Sequence, residues 1–83
     1  MTTALTTAWP EGVIARYLTV AGAALGRDDI AVDVSDKGEE TYWRYGVTCS
    51  GCSMTDETSE RDRADHSAQA HAERCRAVPR PTA

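Results

Sequence analysis

Apolar and polar positions recur with two different periods along this chain, and each change of period marks an expected element. Residues 1–8 are small and polar with little to bury, and read as a flexible N-terminus. From Trp9 the pattern changes. Val13, Ile14, Tyr17, Leu18, Ala21, Ala24 and Leu25 recur at helical spacing, with Pro10 and Glu11 suited to a first turn and Gly26 to a C-terminal stop. A helix over 13–25 is the preferred reading. Its competitor is a strand through Ile14 to Val20, because Val, Ile, Tyr and Thr favour sheets while Gly12 and Gly22 weaken a helix.

The period then shortens to two. Ile30, Val32 and Val34 alternate with Ala31, Asp33 and Ser35, the pattern of a half-buried strand. After a turn at 35–40, a second strand is expected from Thr41 to Thr48, with Trp43, Tyr45 and Val47 facing the core and Tyr42, Arg44 and Gly46 facing away. This hairpin leads into Cys49-Ser50-Gly51-Cys52, where the glycine is expected to permit a tight turn. A long helix is expected from near Asp56 or Thr58 to about Ala77. Asp56, Glu57 and Glu60 load its first turns with negative charge, Arg74 and Arg76 load its last, and Pro79 and Pro81 end it. Ala64, Ala68, His71, Ala72 and Cys75 form its inward stripe. The predicted architecture is one small α+β domain over 9–78: a β-hairpin with a CxxC knuckle packed on a long C-terminal helix, preceded by a helix or strand and followed by a flexible tail at 79–83.

Composition makes that fold marginal. The chain has 83 residues, no Phe, two Trp and three Tyr. At this size an apolar core seldom supplies more than about 3–5 kcal/mol without a staple. The three cysteines are an odd number, so a closed disulfide framework would leave one thiol over. With one histidine, however, they fill the tetrahedral shell of a single Zn2+. Cys49 and Cys52 form the CxxC pair, and His71 and Cys75 follow after eighteen intervening residues. At i and i+4 on a helix, the latter two differ by about 40° in direction and can reach one ion. His66 is the rival ligand, since thirteen residues separate it from Cys52; it lies about 140° around the helix from His71, which favours Cys75 and leaves His66 as a solvent-exposed residue.

Other chemistries fit less well. A thioredoxin-like CxxC needs a helix N-terminus directly after a buried strand, and Met54, Thr55 and Asp56 intervene here. A catalytic zinc keeps an open coordination position, which four protein ligands close. Trp43, Tyr42 and Tyr45 beside Arg44 have the composition of a stacking platform for single-stranded nucleic acid, but aromatics in a two-stranded sheet more often belong to the core. Trp9 beside Pro10 reads as a staple holding the N-terminal segment on the sheet.

Hairpin, knuckle and ligand-bearing helix together resemble the zinc-finger superfamily in its broad sense, as a variant Cys-Cys-His-Cys finger with a long spacer between the ligand pairs. The segments VIARYLTVAGAAL, VTCSGC and HAERCRAVPRP resemble small proteins of unassigned function common in actinobacteria and their mobile elements, over about 65 residues from Trp9 onward. The resemblance implies zinc ligation by Cys49, Cys52, His71 and Cys75 and implies no activity. A finger that reads DNA carries basic and polar residues near the start of its helix, and here Asp56, Glu57 and Glu60 stand at the expected start.

The functional expectation is therefore a non-enzymatic protein with one structural Zn2+, acting as a regulatory or adaptor module that binds another protein. The formal net charge of −4 opposes sequence-independent nucleic-acid binding. A nucleic-acid accessory factor using the basic tip of Arg74, Arg76 and Arg80, with Arg44, is the alternative, and CxxC thiol chemistry is a third. With no long apolar run and no basic-then-apolar leader, the expected location is the cytoplasm, without a membrane or small-molecule substrate.

Overall fold

A computed structural model describes residues 9–79. Its elements, in chain order, are strand β1 (Val13–Leu18), short helix α1 (Val20–Leu25), strands β2 (Ala31–Asp36), β3 (Tyr45–Cys49) and β4 (Thr55–Thr58), and helix α2 (Arg61–Ala72). The four strands form one antiparallel sheet in the order β1-β2-β3-β4, and α2 packs on one face of it. The chain is thus an α+β fold with the C-terminal helix on the sheet, as the sequence predicts, although the sheet has twice the expected number of strands.

Both readings of 13–25 are each half right. The β-branched and aromatic run Val13–Leu18 is strand, pairing with β2 through Arg16 opposite Asp33 and Tyr17 opposite Val32. Thr19 ends it. Its buried hydroxyl accepts from the Gly22 amide at 3.0 Å and donates to the Ile30 carbonyl at 3.0 Å, so one side chain caps α1 and ties it to the entry of β2. The Ala-rich remainder then forms α1, closed by Gly26 at φ 67°, the stop expected from sequence. Gly22 serves through its lack of a side chain, since a Cβ there would stand 2.3 Å from the Ile30 carbonyl oxygen.

The second expected strand is shorter than its periodicity. It begins at Tyr45 rather than Thr41, because residues 37–44 form a loop held by Lys37 N–H to the Arg44 carbonyl (2.7 Å) and by Gly38 at φ 105°. Trp43 is consequently not in the core: it is 47% exposed and makes an edge-to-face pair with Tyr42 at 4.7 Å. Tyr45 does pack against the core as expected, beside buried Val47. Trp9 is 49% exposed, with the Arg16 guanidinium of β1 5.8 Å from its ring centroid.

The strand β4 replaces the expected start of the long helix. The CxxC turn reverses the chain beside β3, so Thr55–Thr58 completes a ladder, with Val47 opposite Asp56 and Thr48 opposite Thr55. Asp56 and Glu57 are therefore strand residues. The helix starts only at Arg61 and stops at Ala72, with His71 its only basic residue in the last turn; Arg74 and Arg76 lie beyond its end and are exposed.

Between sheet and α2, Val32, Val34 and Val47 meet Ala64, Ala68 and Ala72. Branched side chains come from the strands and small ones from the helix, which lets α2 lie close while the buried area per residue stays modest. Outside this layer, Arg16 forks onto Asp33 and Arg44 onto Asp36. The Arg44 fork and the Gly38 amide hold the Asp36 carboxyl well below its ordinary range, at about 2.

Val47 is fully buried in the valine layer, so Val47→Ala should lower unfolding free energy by about 2 kcal/mol. Its exposed neighbour Thr48, changed to Ala, should stay within about 0.5 kcal/mol. Urea denaturation checks both, and equal losses would place the core elsewhere.

Candidate metal centre

Strand alternation places the first sulfur. Val47 points into the core, so Cys49, two residues on, points to the same face and is 2% exposed at the end of β3 opposite Val32. Ala64, Ala68 and Ala72 run along α2 at intervals of four, and Cys75 extends that row past the last helical residue at 8% exposure. Helical hydrogen bonding outlasts the helix here. The Cys75 amide still donates to the His71 carbonyl at 3.0 Å, while the Cys75 carbonyl accepts from Ala21 of α1 at 3.3 Å. The i to i+4 relation expected between His71 and Cys75 thus holds although Cys75 lies outside α2.

The four predicted ligands, Cys49, Cys52, His71 and Cys75, come together, and their ligand atoms all lie within 4.8 Å of one another. The Cys49 and Cys75 sulfurs are 3.8 Å apart, and the Cys52 sulfur lies 3.2 Å from His71 Nε2. With Zn–S bonds of about 2.3 Å, the edge between two sulfurs of a tetrahedron is roughly 3.8 Å. The cluster therefore has the ligand types, number and size of a four-coordinate metal site. His66 is exposed on α2 and does not belong to it.

The CxxC turn is anchored on several sides. Ser50 extends the pairing of β2 with β3: its amide donates to the Ala31 carbonyl at 3.0 Å, and its hydroxyl donates to the Asp29 carbonyl at 2.7 Å and accepts from the Ala31 amide at 3.0 Å. The turn closes through the Ser53 amide to the Cys49 carbonyl (2.9 Å) and the Cys49 amide to the Met54 carbonyl (2.9 Å). Gly51 is needed for a different reason from the one expected. The left-handed residue of the turn is Ser53, at φ 67°, whereas Gly51 makes room for the C-terminal segment: a Cβ there would lie 2.4 Å from the Ala77 carbonyl oxygen. Ala77, expected at the end of the long helix, instead lies beyond α2 against Gly51, and the anchoring by Ser50 depends on contacts with the distant Asp29 and Ala31 that spacing does not reveal.

Electrostatics divides the thiols. Burial raises the Cys49 thiol above its ordinary range, partly opposed by the backbone amides of Cys52 and Gly51. The exposed Cys52 is lowered, chiefly by the Met54 backbone amide. Amides directed at sulfur favour the thiolate, the form in which cysteine binds metal.

The remaining predicted contact residues are dispersed. Arg44 is engaged by Asp36, at 2.8 and 2.9 Å. Arg74 and Arg76 are exposed after α2, and Arg80 lies outside the described residues. No helix among the described residues is long and apolar enough to cross a membrane.

Gly51→Ala should displace the Ala77 segment, cost about 1–3 kcal/mol and weaken metal retention against a chelator. Gly46→Ala is the control: the nearest atoms to its Cβ belong to the flexible Lys37 side chain at 3.8 Å, and stability should change by less than about 1 kcal/mol. Equal effects of the two would remove the steric account of Gly51. No family model matches this sequence, and neither the curated proteins nor the solved structures offer a match to it.

Proposed function

We propose that this chain is a structural-zinc protein whose single Zn2+, held by Cys49, Cys52, His71 and Cys75, clamps the end of β3 to the segment after α2, and that the clamped domain serves as a non-enzymatic adaptor or regulatory module for another protein. The observation that carries the reading is the convergence of four ligand atoms within 4.8 Å at the joint between sheet and helix. Three thiolates and an imidazole form a soft donor set suited to zinc rather than to magnesium or calcium, which favour oxygen. Four protein ligands complete the coordination sphere, leaving no position for a water to be activated, and this supports a structural role.

A partner protein fits the charge better than nucleic acid does. The chain carries −4, and Arg44 is paired with Asp36, which leaves Arg74 and Arg76 as exposed cations at the proposed tip among the described residues. Thiol-redox chemistry of the thioredoxin kind lacks its usual support, because the CxxC joins two antiparallel strands and does not open a helix. The reading implies a reducing cytoplasm, where three thiols remain available to metal.

Native mass spectrometry should find one zinc per chain, and its removal by chelator should abolish much of the circular dichroism, since structural zinc contributes about 10–16 kcal/mol of apparent binding energy in finger peptides. A metal-free chain with unchanged structure would sink the staple. Cys75→Ser should lower zinc affinity by more than about 100-fold, while His66→Ala should leave it unchanged; the reverse order would make His66 the fourth ligand. At about 0.15 M salt the zinc form should not bind a labelled oligonucleotide. Salt-sensitive binding lost on joint replacement of Arg74, Arg76 and Arg80 would favour the nucleic-acid reading instead.

A further inference from the structure

The four ligands are not equally accessible, and the asymmetry has a chemical consequence. Cys49 and Cys75 are buried, whereas Cys52 is exposed on the solvent side of the CxxC turn. A dissolved oxidant meets one sulfur before the others. We propose that Cys52 is an oxidation site at which hydrogen peroxide ejects the metal, with Cys49 as the resolving thiol. This rests on the zinc reading above and concerns the regulation of that same site.

The Cys52 thiolate attacks one peroxide oxygen; the O–O bond breaks, hydroxide leaves and a sulfenic acid forms. The Cys49 thiolate then attacks the Cys52 sulfur, the S–O bond breaks and a second hydroxide leaves as the disulfide closes. In sum, two thiolates and one hydrogen peroxide give one disulfide and two hydroxide ions: two sulfurs are oxidised and two peroxide oxygens reduced. Two of the four ligands are thereby lost, which releases Zn2+.

Cys49 is preferred to Cys75 as the resolving partner because it shares a turn with Cys52. That turn is closed by the hydrogen bond from the Ser53 amide to the Cys49 carbonyl, so the two sulfurs can meet by a local adjustment. Cys75 belongs to a separate segment, whose backbone is tied to α1 through the Ala21 amide. The odd thiol count then has a use. Cys75 stays reduced while its partners form the disulfide, and the segment carrying it loses its clamp. A dithiol reductant returns both sulfurs to the ligand-competent state.

The test treats the full zinc-loaded chain with equimolar hydrogen peroxide, follows released zinc with a chromogenic chelator, and maps thiols by alkylation and mass spectrometry. The expected result is one zinc released per chain, a mass lower by two hydrogens, a disulfide within the tryptic peptide from Tyr45 to Arg61, an alkylated Cys75, and reloading after dithiothreitol and zinc. Cys52→His keeps a zinc-binding side chain and removes the exposed thiol, so a variant that still holds zinc should release it roughly tenfold or more slowly. Zinc retained by the unaltered chain through peroxide treatment, or a disulfide that includes Cys75, overturns the proposal. A chain that binds no zinc at the outset fails the preceding reading itself, an outcome read before peroxide is added.

Discussion

The approach of the Cys75 sulfur to the Cys49 sulfur, 3.8 Å across a buried joint, is the contact on which the arrangement of sheet and helix depends. The apolar layer it completes is thin: three valines from the sheet and three alanines from α2 supply most of it. Alanine brings the helix close but removes little surface from water, so packing alone leaves α2 weakly held. At the far end of the layer stand the four soft side chains, Cys49, Cys52, His71 and Cys75, with their ligand atoms within 4.8 Å of one another.

Local geometry makes that joint possible without a long helix. The chain leaves α2 at Ala72, yet the His71 carbonyl still accepts the Cys75 amide, and the Cys75 carbonyl is taken by Ala21. On the other side the CxxC turn is pinned to β2 through Ser50 and covered by Ala77 at Gly51. Ligand convergence is therefore built from strand pairing, one retained helical hydrogen bond and one close backbone approach. None of these requires a large apolar side chain, which suits a sequence without phenylalanine.

The acidic balance acts in a separate region. Asp33 and Asp36 fall on β2 and receive the Arg16 and Arg44 forks, so two arginines that look free in the sequence fasten neighbouring elements. Trp43 and Tyr42, in the loop beside the Asp36–Arg44 pair, are exposed and add little to the core. The surface ion pairs and the cysteine–histidine cluster are thus carried by different parts of a small chain.

The sequence by itself determined the ligand set, the strand at β2, the Gly26 stop and the inward alanine row, because each depends on spacing within one element or on the donor chemistry of single residues. Tertiary structure decided the rest. The strand half of 13–25 is settled by pairing with β2, and β4 exists because the CxxC turn lays Thr55–Thr58 against β3; local propensity carries neither contact. The late start of α2 follows from β4, and the need for Gly51 follows from the path of the segment after α2, which brings the Ala77 carbonyl against the turn. A sequence shows spacing along the chain, whereas the space left for a side chain is set by whichever distant backbone comes to lie beside it.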